Sequence, residues 1–120
     1  INGLIRELEE KNAELRRMAM QDALTGLPNR ALLRELFEHE AAAARREGTT
    51  LAVMFVDLDQ FKAINDTHGH AAGDDLLIGV GRTLRETVRG SDVVCRMGGD
   101  EFLILLPRVA GIDEAVATAE

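Results

Sequence analysis

Two adjacent glycines, Gly98 and Gly99, separate two apolar segments, residues 92–97 and 102–107, in a chain of 120 residues. Glycine reaches the positive φ that a tight turn between antiparallel strands needs. The segments therefore predict a hairpin, and its tip must carry Asp100 and Glu101. A lone hairpin is only marginally stable in water, so this one needs a sheet and a covering layer.

Residues 51–58, Leu-Ala-Val-Met-Phe-Val-Asp-Leu, supply the next strand. A near-continuous apolar run of this length predicts a buried central strand. It ends on Asp57, with Asp59 close behind. Before it, Gly26 and Pro28 mark a loop over 21–30, and Asn29 is placed to cap a helix running to about Arg46. Leu33, Leu36, Phe37 and Ala41 share one face of that helix. After the strand, 60–66 reads as a short helix and Thr67-His68-Gly69-His70 as a loop. Asp74 then opens a helix to about Val88, with Leu77, Val80, Leu84 and Val88 inward. Gly79 and Gly81 each weaken that helix by about 1 kcal/mol, which close packing would explain. Residues 111–120 begin a further helix. This order implies an α/β layered domain with an antiparallel hairpin in its sheet. The last element is cut short, which leaves the sheet incomplete at its C-terminal side.

The first twenty residues form a separate helical pattern. Ile1, Leu4, Leu8, Leu15 and Met18 occupy a and d positions of a heptad, interrupted by Lys11. Either a dimeric coiled coil or a single amphipathic helix packed on the domain satisfies that pattern. The domains expected are thus a helical linker over 1–20 and a folded domain over 21–120.

Composition excludes several functions. A net charge of −7 disfavours nonspecific nucleic-acid binding, which needs Lys and Arg on phosphates. Trp and Tyr are absent, so stacking platforms are scarce. Cys95 is the only cysteine, which removes any internal disulfide or cysteine-based zinc site. No apolar run approaches the ~20 residues of a spanning helix. The chain begins at Ile1 without a signal-peptide pattern, and reads as a segment of something longer. The default expectation is the cytoplasm, with a parent that can be membrane-anchored.

Acidic residues carry the candidate chemistry. If the hairpin pairs beside the 51–58 strand, Asp57, Asp100 and Glu101 meet at one sheet edge. Such carboxylates repel unless a cation intervenes. Mg²⁺ takes a few carboxylates together with substrate phosphates. The plain alternative, solvated acids at turns, stays open. There is no P-loop, so a triphosphate would need other donors, such as the amides of Phe61 and Lys62. Asn65 and Asp74 have the donors and acceptors to read guanine, although each is equally ordinary in a loop or at a helix start. Gly98 and Gly99 could simply make the turn, or could also let a ligand lie against the backbone. His68 and His70 lack further ligands at zinc spacing.

The chain resembles the GGDEF family of diguanylate cyclases. The resemblance spans residues 22–120 and rests on three segments in order. Asp22-Ala-Leu-Thr-Gly-Leu-Pro-Asn-Arg30 is similar to the domain's opening motif. Val56-Asp-Leu-Asp-Gln-Phe-Lys-Ala-Ile-Asn-Asp66 with His68-Gly-His-Ala-Ala-Gly-Asp74 is similar to its nucleotide segment. Arg96-Met-Gly-Gly-Asp-Glu-Phe102 is similar to its signature. The resemblance implies a nucleotidyl-cyclase-like, palm-type sheet with flanking helices, whose C-terminal elements are missing here.

It also implies roles. Asp57, the carbonyl of Leu58, Asp100 and Glu101 would hold Mg (or Mn), and Asp100 would be the general base. Phe61 and Lys62 would offer amides to the phosphates of GTP. Asn65 and Asp74 would read guanine with His70 nearby, and Gly98 and Gly99 would line the substrate. Arg89 and Asp92 would form an inhibitory product site for cyclic di-GMP. The implied activity joins two GTP into cyclic di-GMP with release of pyrophosphate, in a homodimer of antiparallel catalytic domains joined through the N-terminal helix. An upstream sensor and no nucleic-acid partner are expected. The alternatives are a non-enzymatic GTP or cyclic di-GMP receptor, or a dimerising signalling module attached to a phosphodiesterase domain.

Overall fold

The computed structural model describes residues 2–109. Helices α1 (Asn2–Met20) and α2 (Arg30–Glu47) come first, followed by strand β1 (Thr50–Asp57). Helices α3 (Phe61–His68) and α4 (His70–Thr87) precede the hairpin of β2 (Val93–Gly98) and β3 (Glu101–Val109). The helix expected over 111–120 lies outside the described residues.

The ends of α2 follow from local chemistry. Asn29 caps its start, accepting a hydrogen bond from the Leu32 amide at 3.1 Å. Gly48 ends it at φ 71°, the left-handed conformation that glycine adopts without a Cβ penalty.

The sheet has the order β1-β3-β2 and is antiparallel throughout. The strand expected over residues 51–58 is present as β1. Among the described residues β1 is an edge strand, and the central strand is β3. Ala52, Met54 and Val56 face the core, while Val53 and Phe55 on the other face are 40% and 77% exposed. Apolar content gives a strand its burial tendency, but its neighbours in the sheet decide how much is covered.

Strand β3 is buried on both faces because successive side chains alternate. Phe102, Ile104 and Leu106 join Leu27 and Leu77 in one cluster, with Val80, Leu84 and Phe61 packed against it. Leu103 and Leu105 join Cys95 and Leu33 beneath α2. The result is three layers: α2, the sheet, and the α3–α4 pair. Gly81 is explained by close packing, since a Cβ there would stand 3.0 Å from Leu27 Cδ1. Gly79 faces open space and has no such reason.

The α3–α4 junction departs from expectation. A loop over 67–70 was predicted, with Asp74 opening the next helix. Gly69 alone makes the break, at φ 90°, and α4 starts at His70. Asp74 therefore sits within α4 and is not its cap. A single residue with positive φ breaks the helix where a sequence pattern suggests a longer loop.

Helix α1 buries no residue. Leu4, Ile5, Leu8, Leu15 and Met18 are each at least half exposed. No helix among the described residues is long and apolar enough to cross a membrane.

Candidate active site

Register places the carboxylates. Antiparallel pairing sets Asp57, the last residue of β1, directly opposite Glu101, the first of β3. The Leu58 amide donates to the Asp100 carbonyl at 3.2 Å, which closes the hairpin tip onto the end of β1. Gly98 and Gly99 turn the tip with φ of 139° and 51°. The expected meeting of Asp57 with the tip is therefore present.

The acids at the tip perturb one another. The Asp57 carboxyl is raised above its ordinary range, first by the negative charge of Asp100. Desolvation, a hydrogen bond with Asp100 and the charge of Glu101 add to the shift, and the Leu58 amide opposes it. Two such carboxyls repel each other unless a cation lies between them. No group of three or more metal-ligating side chains converges among the described residues. Asp57, Asp100 and the Leu58 carbonyl nonetheless fit Mg²⁺, which needs only one or two carboxylates when phosphates and water complete its shell.

Helix α3 begins three residues beyond Leu58. Gln60 precedes it in the left-handed region at φ 60°, a conformation that a non-glycine side chain resists. That bend starts the helix beside the acidic tip. The first amides of a helix lack intrahelical acceptors, so Phe61 and Lys62 present N–H donors there. Exposed amides at a helix start suit phosphate oxygens.

Asn65 lies in the crevice between α3 and α4. Its Oδ1 is buried and has no hydrogen-bond partner among the described residues. Its amide group occupies the space over Gly73, where a Cβ would collide with it. An unsatisfied buried acceptor is costly. Asp74 follows Gly73 and is exposed, and His70 stands exposed at the start of α4.

Arg89 and Asp92 form a closed turn. Asp92 Oδ2 accepts from the Arg89 amide at 3.0 Å and lies 3.5 Å from Arg89 Nε. The Asp92 side chain is fully covered, and its Oδ1 has no partner among the described residues. A cavity of about 320 Å³ opens beside this turn, lined by Arg85, Arg89, Asp92 and Gln21 among others.

Sequence reasoning missed one contact. Arg96 Nη1 donates to Asp22 Oδ1 and Oδ2 at 2.9 and 3.2 Å. The same guanidinium donates through Nη2 and Nε to the Gly99 carbonyl at 2.8 and 3.2 Å. Burial works to raise the Asp22 carboxyl, but hydrogen bonds from the Thr25 amide and hydroxyl, together with Arg96, leave it below the ordinary range. The available signal was an arginine three residues before the turn glycine and a lone acid at the loop start.

Comparison with solved structures supports the fold. The coiled coil and GGDEF domain of DgcB from Caulobacter crescentus, solved with c-di-GMP, superposes with a TM-score of 0.89 at 30% identity. The superposition covers 98% of this chain and 61% of that one. Layered helices around an antiparallel sheet with an acidic hairpin tip thus define a nucleotidyl-cyclase-like domain. The family model described as "Diguanylate cyclase, GGDEF domain" matches residues 19–120. The chain belongs to the GGDEF family.

Two curated relatives are similar over most of this chain. The cyclic di-GMP phosphodiesterase NbdA of Pseudomonas aeruginosa is 49% identical over 105 residues, covering 88% of this chain and 13% of NbdA. The diguanylate cyclase DosC of Escherichia coli K12 is 46% identical over 117 residues, covering 98% of this chain and 25% of DosC. The chain thus spans a quarter or less of the length of these two proteins.

Proposed function

We propose that this domain is a diguanylate cyclase, condensing two GTP into cyclic di-GMP and releasing pyrophosphate. The observation that carries the reading is the Asp57–Asp100 pair at the hairpin tip, beside the start of α3. Asp57, Asp100 and the Leu58 carbonyl would hold Mg²⁺ or Mn²⁺, with Glu101 beside them. Such a cation supplies charge neutralisation at the phosphates when bound. The Phe61 and Lys62 amides hold phosphate oxygens and keep them fixed for attack. Asn65 and Asp74 orient the guanine, with His70 at the rim of the crevice. Gly98 and Gly99 leave the tip free of side chains, so substrate can lie against backbone. Asp100 takes the proton from the attacking 3′-hydroxyl.

One domain positions one GTP, so the reaction requires two protomers facing each other. The exposed apolar stripe of α1 supports pairing with a second copy through a coiled coil. Arg89 and Asp92 would bind the product and restrain the enzyme, with the guanidinium suited to guanine and phosphate.

A second reading is a domain that binds GTP or cyclic di-GMP without making it, attached to a phosphodiesterase. The 49% identity to NbdA favours it. Incubating the intact protein with GTP and Mg²⁺ separates the two. Formation of cyclic di-GMP is expected; retained GTP binding with no product would establish the receptor.

A further inference from the structure

The chain between α1 and α2 is tied down at both of its ends. The Asn29 side chain and amide donate to the carbonyls of Ala19 and Met20, at 2.7 and 2.9 Å, where α1 ends. Pro28 bridges to Gln21 and accepts the Arg96 amide at 3.0 Å. Within this loop Thr25 fixes the Asp22 carboxylate with two bonds of 2.8 Å. Asp22 in turn receives Arg96, and Arg96 grips the carbonyl of Gly99. Both side chains are mostly buried, at 14% and 17% exposure.

The Gly99 carbonyl belongs to the turn itself. The next residue, Asp100, carries the carboxylate that faces Asp57. The turn glycines leave that tip intrinsically loose, since their backbone is the freest of any residue. A planar guanidinium with donors in a fixed fork can hold a carboxylate on one side and a carbonyl on the other.

We infer that Arg96 and Asp22 are positioning residues: a two-ended strut from the end of α1 that holds the Gly99–Asp100 tip against β1. Asp22 orients the guanidinium, and the guanidinium orients the tip. The strut joins the helical segment to the metal carboxylates without touching substrate. Its effect on turnover rests on the cyclase reading above; its effect on the tip does not.

The test uses D22N, R96A, R96K and the D22N/R96A double variant of the intact protein. Hydrogen exchange is followed by mass spectrometry in two peptides. One spans residues 56–61, whose Leu58 amide is bonded to Asp100. The other spans the β3 core at 102–106. In D22N and R96A the Leu58 peptide should exchange about tenfold faster while the β3 core stays protected. R96K should behave like R96A, because an ammonium lacks the fork. The double variant should be no worse than R96A, since both changes break one device. For turnover, kcat should fall about 10- to 100-fold with KM for GTP within about threefold, as for misplacement of a reacting group. Parent-like exchange at Leu58 in R96A or R96K overturns the strut. So does equal acceleration in the β3 core, which would make the pair a general stability contact. If the parent makes no cyclic di-GMP, the cyclase reading fails while the exchange result still decides the strut.

Discussion

Replacing Gly73 by alanine separates recognition from stability. The new Cβ would collide with Asn65 Oδ1 and come within 2.8 Å of Asn65 Cγ. Helix α4 cannot easily yield, because Leu77, one turn on, is locked in the core at 2% exposure. The Asn65 side chain must therefore swing out of the crevice. Two terms favour the variant. Alanine is about 1 kcal/mol better than glycine inside a helix. Releasing a buried, unpartnered acceptor to water recovers part of a cost of about 1–3 kcal/mol. Lost packing of the amide opposes them. The melting temperature should thus range from unchanged to about 6 °C higher, at roughly 4–8 °C per kcal/mol for a domain of this size. Binding should move the other way. Losing one or two hydrogen bonds to guanine, at about 0.5–1.5 kcal/mol each, weakens affinity by about 2- to 150-fold. A thermal melt and a titration with a fluorescent GTP analogue, in Ca²⁺ to suppress turnover, read both quantities. Unchanged GTP affinity would refute the placement of guanine at Asn65. A fall of more than about 6 °C would refute the claim that the side chain can leave cheaply.

Asp57→Asn should abolish Mn²⁺ binding, measured by calorimetry, yet melt no lower than the parent in metal-free buffer, because it removes the repulsion with Asp100; retained Mn²⁺ binding would exclude Asp57 as a ligand. Arg89→Ala should raise the product inhibition constant at least about tenfold, the value of a lost charge-assisted hydrogen bond or more; unchanged inhibition rules out that site. Asp22 titrates below its usual value of 3.8, so its contribution to stability is full above that pH and is lost as pH falls through the lowered native value. The Tm gap between parent and D22N should accordingly be constant near neutrality and narrow in that acid window; a gap independent of pH would refute the assignment. A three-residue insertion between Met18 and Asp22 rotates α1 against the domain and should change activity in the intact protein; unchanged activity and regulation would dissociate the helix from catalysis.

Much of this site was written in local sequence. The Gly98–Gly99 pair required a turn whatever surrounded it, and Asn29 and Gly48 set the ends of α2, because these residues act on their own backbone. The acidic tip and the end of β1 followed once the hairpin was assumed to pair beside that strand. How far residues 51–58 are covered was not legible, because the neighbouring strands and helices, and not apolar content, decide it. The start of α4 at His70 was not legible because Gly69 alone makes the break between two helices that a loop of several residues usually makes.

The hairpin, the helix caps and the apolar stripes were thus determined by sequence alone, since turns and periodicity depend on neighbours a few residues apart. Only the tertiary structure decided that β3 lies between β1 and β2 among the described residues, that Gly73 gives its space to Asn65, and that Arg96 reaches Asp22 across 74 positions of chain. Those contacts form when distant segments pack, and no local preference of either partner encodes them.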